Sequence, residues 1–373
     1  MALLLNEDEK MLAESAAGFF ADKAPVRQLR ALRDDKDETG FSKALWSEMA
    51  DMGFTSVLVP EEFGGVDMGF MAAGLIAEEM GKNLSASPFL STAVLAAQAL
   101  KQHASTEQKA KYLPQICTGE TLFSVALDET SKHTPSQMEL RATASGNGFK
   151  LNGSKCMVID GHVADQILVF ANTDDGLSVF IVPANADGLS IERTIMADSR
   201  NAARMDFDNV EVTGEQLVGA LGGGVEVLDT VCNAGRALLA AEMLGASSQV
   251  FEITTAFLKE RKQFGKIIGE FQALQHRASH LYCELELCRS AVFSALTALD
   301  DNAENVGAIV GMAKAKLSSV AKLAALEAVQ MHGGMGMTDE IDVGLYLKRI
   351  RVAQELLGDA DFHREQIANH KGY

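Results

Sequence analysis

Three stretches in the last third of the chain decide the fold: Arg261-Lys-Gln-Phe-Gly265, Phe271-Gln272 and Gln330-Met-His-Gly-Gly-Met-Gly336. An arginine at the end of a long helix, followed by a turn glycine, can hold a fixed cation against a pyrophosphate. By itself it is more typical of a basic last turn that interacts with the helix dipole. A helix stop explains one glycine of the third stretch, but not three, and glycines let a backbone approach a ligand closely.

The rest of the chain falls into three regions. Residues 1–118 show apolar residues at helix spacing, whereas residues 119–220 show short apolar runs between turn signals, as in Gln166–Phe170. Residues 221–373 return to long helical patterns. The order predicts a mainly α protein with an N-terminal helical domain, a middle β domain and a C-terminal four-helix bundle.

Element boundaries can also be predicted. Within the β region, Asn147-Gly148 and Asn152-Gly153 are typical of hairpin turns. In the last region, helices near 30 residues long favour an antiparallel bundle. Four are predicted, over Val225–Arg261, Phe271–Asp300, Ala303–His332 and Asp342 to about His370.

Taken together, these motifs and their order resemble the acyl-CoA dehydrogenase family over essentially the whole chain. The resemblance includes the Pro60–Gly65 loop and the Phe207–Val212 segment, and it implies that the middle β domain is barrel-like. It implies FAD-dependent dehydrogenation of an acyl-CoA thioester to the 2,3-enoyl-CoA, with electrons passed to an electron-transfer flavoprotein. It also implies a dimer of dimers, either a homotetramer or a heterotetramer, with FAD at the subunit interfaces.

The resemblance assigns site residues by their positions. Arg236 matches a substrate-binding arginine, although a surface arginine is the alternative. His332 is either a ligand contact or a packed histidine. The residues expected to bind FAD are Arg261, Phe264, Phe271, Gln272, Gln330, His332, Gly333, Gly334, Met157, Ile159 and Asp361.

Two segments depart from the family pattern. Met157-Val-Ile159 stands where the family has Trp-Ile-Thr beside the flavin ring, so the threonine hydroxyl is missing. Leu127-Asp-Glu-Thr130 replaces Thr-Glu-Pro in a loop that wraps FAD and substrate. Flavin contacts from this side are therefore expected mainly from the backbone.

The residues at the expected positions of the catalytic base differ even more from the family pattern. Leu357, before Gly358, occupies the position of the usual glutamate, and Gly235 occupies the position of an alternative base. Neither can accept the α-proton, because a base needs a desolvated titratable group within hydrogen-bond reach. Asp359 and Glu242 are the leading candidates for the base, and Glu355 and Asp361 are two others; a structural carboxylate is the alternative for each.

A missing base suggests a different role. The Gly358–Asp361 ending resembles the small subunits of pimeloyl-CoA dehydrogenase-like and steroid side-chain-degrading enzymes, which pair with a second subunit. The chain could then be a non-catalytic partner that completes the FAD site of another chain. A flavin-dependent oxidase or a nitrogen-oxidising enzyme is a third hypothesis.

Composition and sequence patterns narrow the kinds of partner, location and functional site that this protein can have. A net charge of −18 disfavours nucleic acid and anionic membranes as partners, because both need clustered basic surface. The five unclustered cysteines and the acidic N-terminus without a signal-peptide pattern favour a cytoplasmic protein. No run of about 20 apolar residues predicts a membrane span, and metal-site and serine-hydrolase motifs are missing from the sequence.

Overall fold

A computed structural model describes residues 4–373 of this chain, which form two compact units. The first, here called the bundle unit, contains residues 4–31, 70–85 and 236–373. The second, the sheet unit, contains residues 32–69 and 86–235. This division by compactness does not follow the three sequence regions, whose boundaries at 118 and 220 stay a prediction.

Eleven α-helices are found in the described part of the chain. The three longest lie in the last 150 residues or so and include α7, which contributes to both units. The helices are α1 Glu7–Lys23, α2 Val26–Asp34, α3 Lys43–Asp51, α4 Gly69–Asn83, α5 Ala97–His103, α6 Thr106–Cys117, α7 Gly224–Glu260, α8 Gln272–Asp300, α9 Val306–His332, α10 Val343–Glu355 and α11 Ala360–His370. A π-helix, Phe89–Ala96, precedes α5. Across residues 4–373, no helix is both long and apolar enough to cross a membrane.

The sheet unit is built on one eight-stranded sheet with the order β6-β7-β3-β2-β4-β5-β8, in which β1 also pairs with β4. Its strands are β1 Phe123–Ala126, β2 Arg141–Ser145, β3 Gly148–Ile159, β4 Gln166–Thr173, β5 Gly176–Pro183, β6 Leu189–Ile195, β7 Asn201–Thr213 and β8 Leu217–Val218. Two short strands, β9 Lys262–Gln263 and β10 Lys266–Ile267, form a separate hairpin. Fully buried residues such as Ile167, Val169 and Phe180 form the core on one face of the large sheet.

Two glycines allow α4 and α7 to cross at backbone contact in the bundle unit. A Cβ atom on Gly81 would lie 2.1 Å from the carbonyl oxygen of Glu242, and one on Gly245 would lie 1.8 Å from that of Glu78. The contact is reciprocal, because each helix contributes one glycine and receives the other against its own backbone. Only a residue without a side chain fits at either position.

The structure corrects two boundaries expected from sequence. The predicted helix from Asp342 to His370 is two helices, because Leu357 and Gly358 have φ values of +56° and +102° and interrupt it. The predicted turn at Asn152-Gly153 is wrong: both residues lie inside β3, where Gly153 (φ +137°) marks a shift in the pairing with β7. Asn147-Gly148, in contrast, does lie at the tight β2–β3 connection, where Ser145 pairs with Gly148.

Gly245→Ala is expected to lower the free energy of unfolding by about 1–3 kcal/mol or more, because the added methyl group overpacks the α4–α7 crossing. Chemical denaturation monitored by circular dichroism measures this change. Gly18→Ala in α1 is the control, since a Cβ atom added to Gly18 would have no neighbouring atom within 4 Å. There alanine is expected to stabilise the helix by about 0.5–1 kcal/mol. Equal effects of the two substitutions would contradict the packing argument.

Candidate active site

The segment that interrupts the last helices is held by two basic side chains in the bundle unit. Arg236 Nε donates to the carbonyl oxygen of Leu357 at 2.9 Å. Lys314 Nζ donates to the carbonyl oxygens of Gln354 at 3.0 Å and of Gly358 at 3.1 Å. The side chain of Leu357 is itself buried. The position where the resemblance predicts a catalytic glutamate is therefore a well-fixed loop that carries an apolar side chain.

Lys314 is the most unusual titratable group of this loop, since its side chain is fully buried. Burial lowers the pKa of Lys314, the neighbouring Arg236 lowers it further, and the net value is about 7 in spite of Glu355 and Asp359. This residue is not among those predicted from the sequence. A lysine among the small and apolar residues of α9 is a possible signal, but its partners lie 40 and 44 residues away.

Glu242, a predicted base, lies in a buried ion pair. Its Oε1 is 3.1 Å from Nη1 of Arg349, whose guanidinium also donates to the carbonyl oxygens of Leu84 and Ser85. Arg349 is 1% exposed and Glu242 is 8% exposed. The carboxylate thus balances a buried charge, so its role as the base stays a prediction.

The other predicted acids near this loop lie at the surface. Asp359 is the N-cap of α11, and its Oδ1 accepts a hydrogen bond from the backbone N–H of Phe362 at 2.8 Å. Asp361 is exposed and pairs with Arg364 at 2.8 Å. An N-cap carboxylate contributes about 1 kcal/mol to a helix. Asp359 therefore has a structural role here, and its assignment as the base is not tested by this geometry.

The first predicted flavin segment forms an exposed turn after α7. Arg261 is exposed, and Phe264 is 90% exposed with a left-handed backbone, φ +53°. The ring of Phe264 meets that of Phe271 edge-on at 6.2 Å, and the ammonium group of Lys266 lies 4.2 Å above the Phe271 ring. Gln272 is exposed at the start of α8. The turn thus presents cations and aromatic faces to its surroundings.

The second predicted segment lies at the end of α9. Gln330 is exposed, as are Gly333 and Gly334, and a Cβ atom added to either glycine would have no neighbouring atom within 4 Å. His332 is instead buried: its ring stacks on Phe257 at 4.3 Å, and its Nδ1 lies 2.8 Å from the carbonyl oxygen of Ala328. His332 is therefore packed within the chain, as in the second of the two alternatives predicted for it.

These groups fit a dinucleotide cofactor. An exposed guanidinium suits a pyrophosphate, exposed aromatic rings suit a planar heterocycle, and open glycine backbone admits a close approach. An almost fully exposed Phe264 in a left-handed conformation is also unusual unless something covers it. The individual contacts with the cofactor remain a prediction.

In the sheet unit, β3 contains the segment predicted to lie beside the flavin, and this strand is distorted around Met157. The pairing of β3 with β7 shifts between Lys155 and Val158, so Met157 adopts φ +53° and is 40% exposed. The carbonyl oxygen of Ile159 accepts a hydrogen bond from Ser124 Oγ at 2.6 Å. The bulge turns Met157 outward, as bulges beside functional sites often do.

A cluster that sequence analysis missed lies in the sheet unit. Nδ1 of His133 lies 2.8 Å from Oδ1 of Asp128, and the thiol of Cys232 is a further neighbour that acts on the ring. Burial lowers the pKa of His133, but Asp128 and Cys232 raise it more, to about 9. Asp128 and His133 are close in sequence, whereas Cys232 is far away, so the pattern gave no signal.

Long helices, one large sheet and exposed turns that suit a dinucleotide together favour a flavin-dependent oxidoreductase. Three family models match the chain: acyl-CoA dehydrogenase N-terminal domain (residues 6–120), middle domain (128–210) and C-terminal domain (222–372). A probable short/branched chain specific acyl-CoA dehydrogenase of Dictyostelium discoideum is 30% identical, over 98% of this chain and 90% of its own length. The chain therefore belongs to the acyl-CoA dehydrogenase family.

Solved structures agree with this assignment. A Tcur3481-Tcur3483 steroid ACAD variant is similar with a TM-score of 0.89 and 30% identity, over 97% of each chain. The FAD complex of PigA is similar with a TM-score of 0.92 and 26% identity, over 100% of this chain and 99% of the other. The expected architecture and FAD as the cofactor are confirmed.

Glu242→Gln is expected to lower the free energy of unfolding by about 3 kcal/mol, because it leaves the buried charge of Arg349 without a counter-ion. Glu355→Gln is the control, since its pair with Arg351 at 2.7 Å is exposed and contributes no more than about 1 kcal/mol. Denaturant titration measures both. Similar losses in the two variants would show that burial does not decide the strength of the Glu242 pair.

The stability of the protein is expected to rise with pH through Lys314. The unfolded chain keeps this proton to about pH 10.4, whereas the folded chain releases it near pH 7. The unfolded state therefore binds more protons between these values, and the free energy of unfolding gains up to about 1.4 kcal/mol per pH unit. Lys314→Met should remove this gain.

The measurement is the difference in unfolding free energy between wild type and Lys314→Met from about pH 7 to about pH 10. Lys322→Met, at an exposed position of the same helix, is the control and should show a constant difference. A constant difference for Lys314→Met as well would mean that Lys314 keeps its charge in the fold.

Proposed function

We propose that this protein catalyses the FAD-dependent α,β-dehydrogenation of an acyl-CoA thioester to the 2,3-enoyl-CoA. The observation that supports this most is the exposed turn after α7, where Arg261 and Phe264 present a cation and an aromatic ring at the surface. An electron-transfer flavoprotein would accept the electrons. The named relatives differ in their acyl groups, so the proposal covers acyl-CoA thioesters as a class.

The chain's own residues would contact FAD from several segments. Arg261 would pair with the pyrophosphate, with Phe264, Phe271 and Gln272 beside it, while the backbone of Gly333 and Gly334 would approach the dinucleotide, flanked by Gln330. Met157 and Ile159 would flank the flavin ring, and Asp361 would add a polar contact. Bound FAD supplies the hydride acceptor. Arg236, which holds the Leu357 carbonyl, would orient the thioester.

The same exposed groups support an oligomer. Phe264 and Met337 are 90% and 79% exposed, which is unusual for large apolar side chains unless a partner or ligand covers them. A dimer of dimers, of one chain or of two different chains, would place these turns at interfaces. The five cysteines are free thiols, which suits the reducing cytoplasm proposed for this assembly.

A second candidate function has specific support. Leu357 occupies the base position, and the two leading carboxylates have structural partners: Arg349 for Glu242 and the Phe362 N–H for Asp359. A solved relative is described by two protein names, Tcur3481-Tcur3483. The chain would then be a partner subunit that completes an FAD site, while another chain supplies the base.

A visible absorption spectrum of the protein purified alone, before and after a panel of acyl-CoA thioesters is added, tests the proposal. A flavin band that bleaches with one class of thioester is expected, because reduction removes the oxidised flavin absorbance. The panel includes short branched and steroid side-chain thioesters. A yellow protein that no thioester bleaches, or a colourless one, would overturn catalysis by this chain and favour the partner-subunit function.

Variants then test the predicted bases in the same assay. Asp359→Asn and Glu242→Gln are compared with Glu286→Gln, an exposed carboxylate of α8. A base that contributes about 100-fold or more to proton transfer slows bleaching by that factor when it is neutralised. If both variants bleach at the wild-type rate, neither carboxylate is the base.

A further inference from the structure

Lys155 is a fully buried lysine of the sheet unit that the proposed reaction does not use. It lies on β3 two residues before Met157, and its side chain is 0% exposed. Its Nζ lies 2.7 Å from Oε1 of Glu129 and donates to the carbonyl oxygen of Leu127 at 3.0 Å. Burial lowers the pKa of Lys155, while the hydrogen bond and the charge of Glu129 oppose this shift. A lysine buried this deeply needs both partners, because a buried polar group without them strongly destabilises a fold.

Two consecutive residues of β3, Lys155 and Cys156, bind the loop that joins β1 to β2. This β1–β2 loop consists of residues 127–140. Besides the bond from Lys155 to Leu127, the backbone N–H of Cys156 donates to the carbonyl oxygen of Asp128 at 2.7 Å, and its thiol donates to that of Thr130 at 3.1 Å. Three of the first four carbonyl groups of the loop are thus bound from β3.

The carboxylate of Glu129 extends this attachment to the other end of the β1–β2 loop. It accepts hydrogen bonds from the backbone N–H groups of Glu139 at 2.5 Å and of Leu140 at 3.0 Å. Burial raises the pKa of Glu129, but Lys155 and the two N–H groups lower it more, so the carboxylate is ionised at neutral pH. One ion pair therefore fixes both the start and the end of the loop.

The β1–β2 loop meets β3 beside the segment that the proposed function places next to the flavin ring. Met157 follows Cys156 directly and is 40% exposed, and Thr130 is exposed as well. The threonine hydroxyl expected beside the flavin is missing, since the chain has Ile159 at that position. Recognition of the ring then depends on backbone groups, and these must be held in place by the surrounding residues.

We propose that Lys155 is a positioning residue for the flavin: through Glu129 and the Leu127 carbonyl it fixes the β1–β2 loop to β3, so that both segments present a fixed backbone to the ring. This rests on the proposed function, which places the flavin beside Met157. A backbone that is already ordered binds a ligand without a further loss of conformational entropy. Loss of Lys155 frees the loop and lowers the affinity for FAD.

Titration of the flavin-free protein with FAD, followed by flavin fluorescence, measures this affinity. Lys155→Met is expected to weaken FAD binding about 10-fold, the equivalent of one hydrogen bond between the ring and a fixed backbone group. Phe180→Ala is the control for stability. Phe180 is a fully buried core residue of β5, which pairs with β4 and β8 rather than with β3. The control is expected to lose a similar amount of stability and to bind FAD like wild type.

A second variant separates the position of the loop from the balance of buried charge. Lys155→Met alone leaves the carboxylate of Glu129 without its counter-ion. Lys155→Met/Glu129→Gln has no buried charge and keeps an acceptor for the N–H groups of Glu139 and Leu140. Its stability is expected to recover toward that of wild type, whereas its FAD binding stays about 10-fold weaker, because Lys155 no longer holds the Leu127 carbonyl.

Hydrogen exchange of the flavin-free protein observes the loop without any cofactor. The amides of residues 127–140 are expected to exchange faster in both Lys155 variants than in wild type. Lys150→Met, five residues earlier on β3, should leave them unchanged, because the Lys150 side chain is 38% exposed and pairs with Glu211 instead. Unchanged exchange in the Lys155 variants would show that other bonds hold the loop and would overturn the inference.

The outcomes separate this inference from the proposed function. If both Lys155 variants bind FAD like wild type, or if Phe180→Ala weakens binding equally, Lys155 has only a structural role and the inference is overturned. Bleaching of the wild-type flavin by a thioester would then leave the proposed function intact. If FAD binding depends on Lys155 but no thioester bleaches the flavin, catalysis by this chain fails while the positioning role stands.

Discussion

The crossing of α4 and α7 is the constraint on which the bundle unit depends. Gly81 and Gly245 bring the two backbones together, and this closeness places Glu242 beside the guanidinium of Arg349. Arg349 also binds the carbonyl oxygens that follow α4, so one buried charge ties α4, α7 and α10 together. A buried ion pair needs a counter-ion or a hydrogen-bond partner for each of its charged groups, because an unpaired buried charge strongly destabilises the fold.

Buried polar contacts also fix the segment between α10 and α11, where the base was expected. Arg236 and Lys314 both donate hydrogen bonds to carbonyl oxygens of this segment, so basic side chains as well as apolar packing fix its path. Leu357 can adopt a left-handed conformation there because these bonds stabilise it. The loop therefore keeps its shape although the side chain expected to do chemistry is absent, which separates the architecture of the site from its reactivity.

Features that depend on residues close in sequence could be predicted from the sequence, whereas contacts between distant residues could not. The bounds of α7 agree to within one residue with the predicted Val225–Arg261, because helix periodicity is local. The break at Leu357 was not predicted, since a left-handed leucine looks like any other leucine in an apolar pattern. The partners of Glu242 and Cys232 were not predicted either, because Arg349 and His133 lie about 100 residues from them in sequence.

The exposed turn after α7 has a thermodynamic consequence. Phe264 holds a strained backbone and an uncovered ring, so any group that covers it binds the folded chain and adds to its stability. If flavin and a neighbouring subunit both cover this turn, their binding free energies are linked, and each raises the affinity of the other by the same factor. Retention of the flavin then depends on protein concentration, and simple dilution releases it.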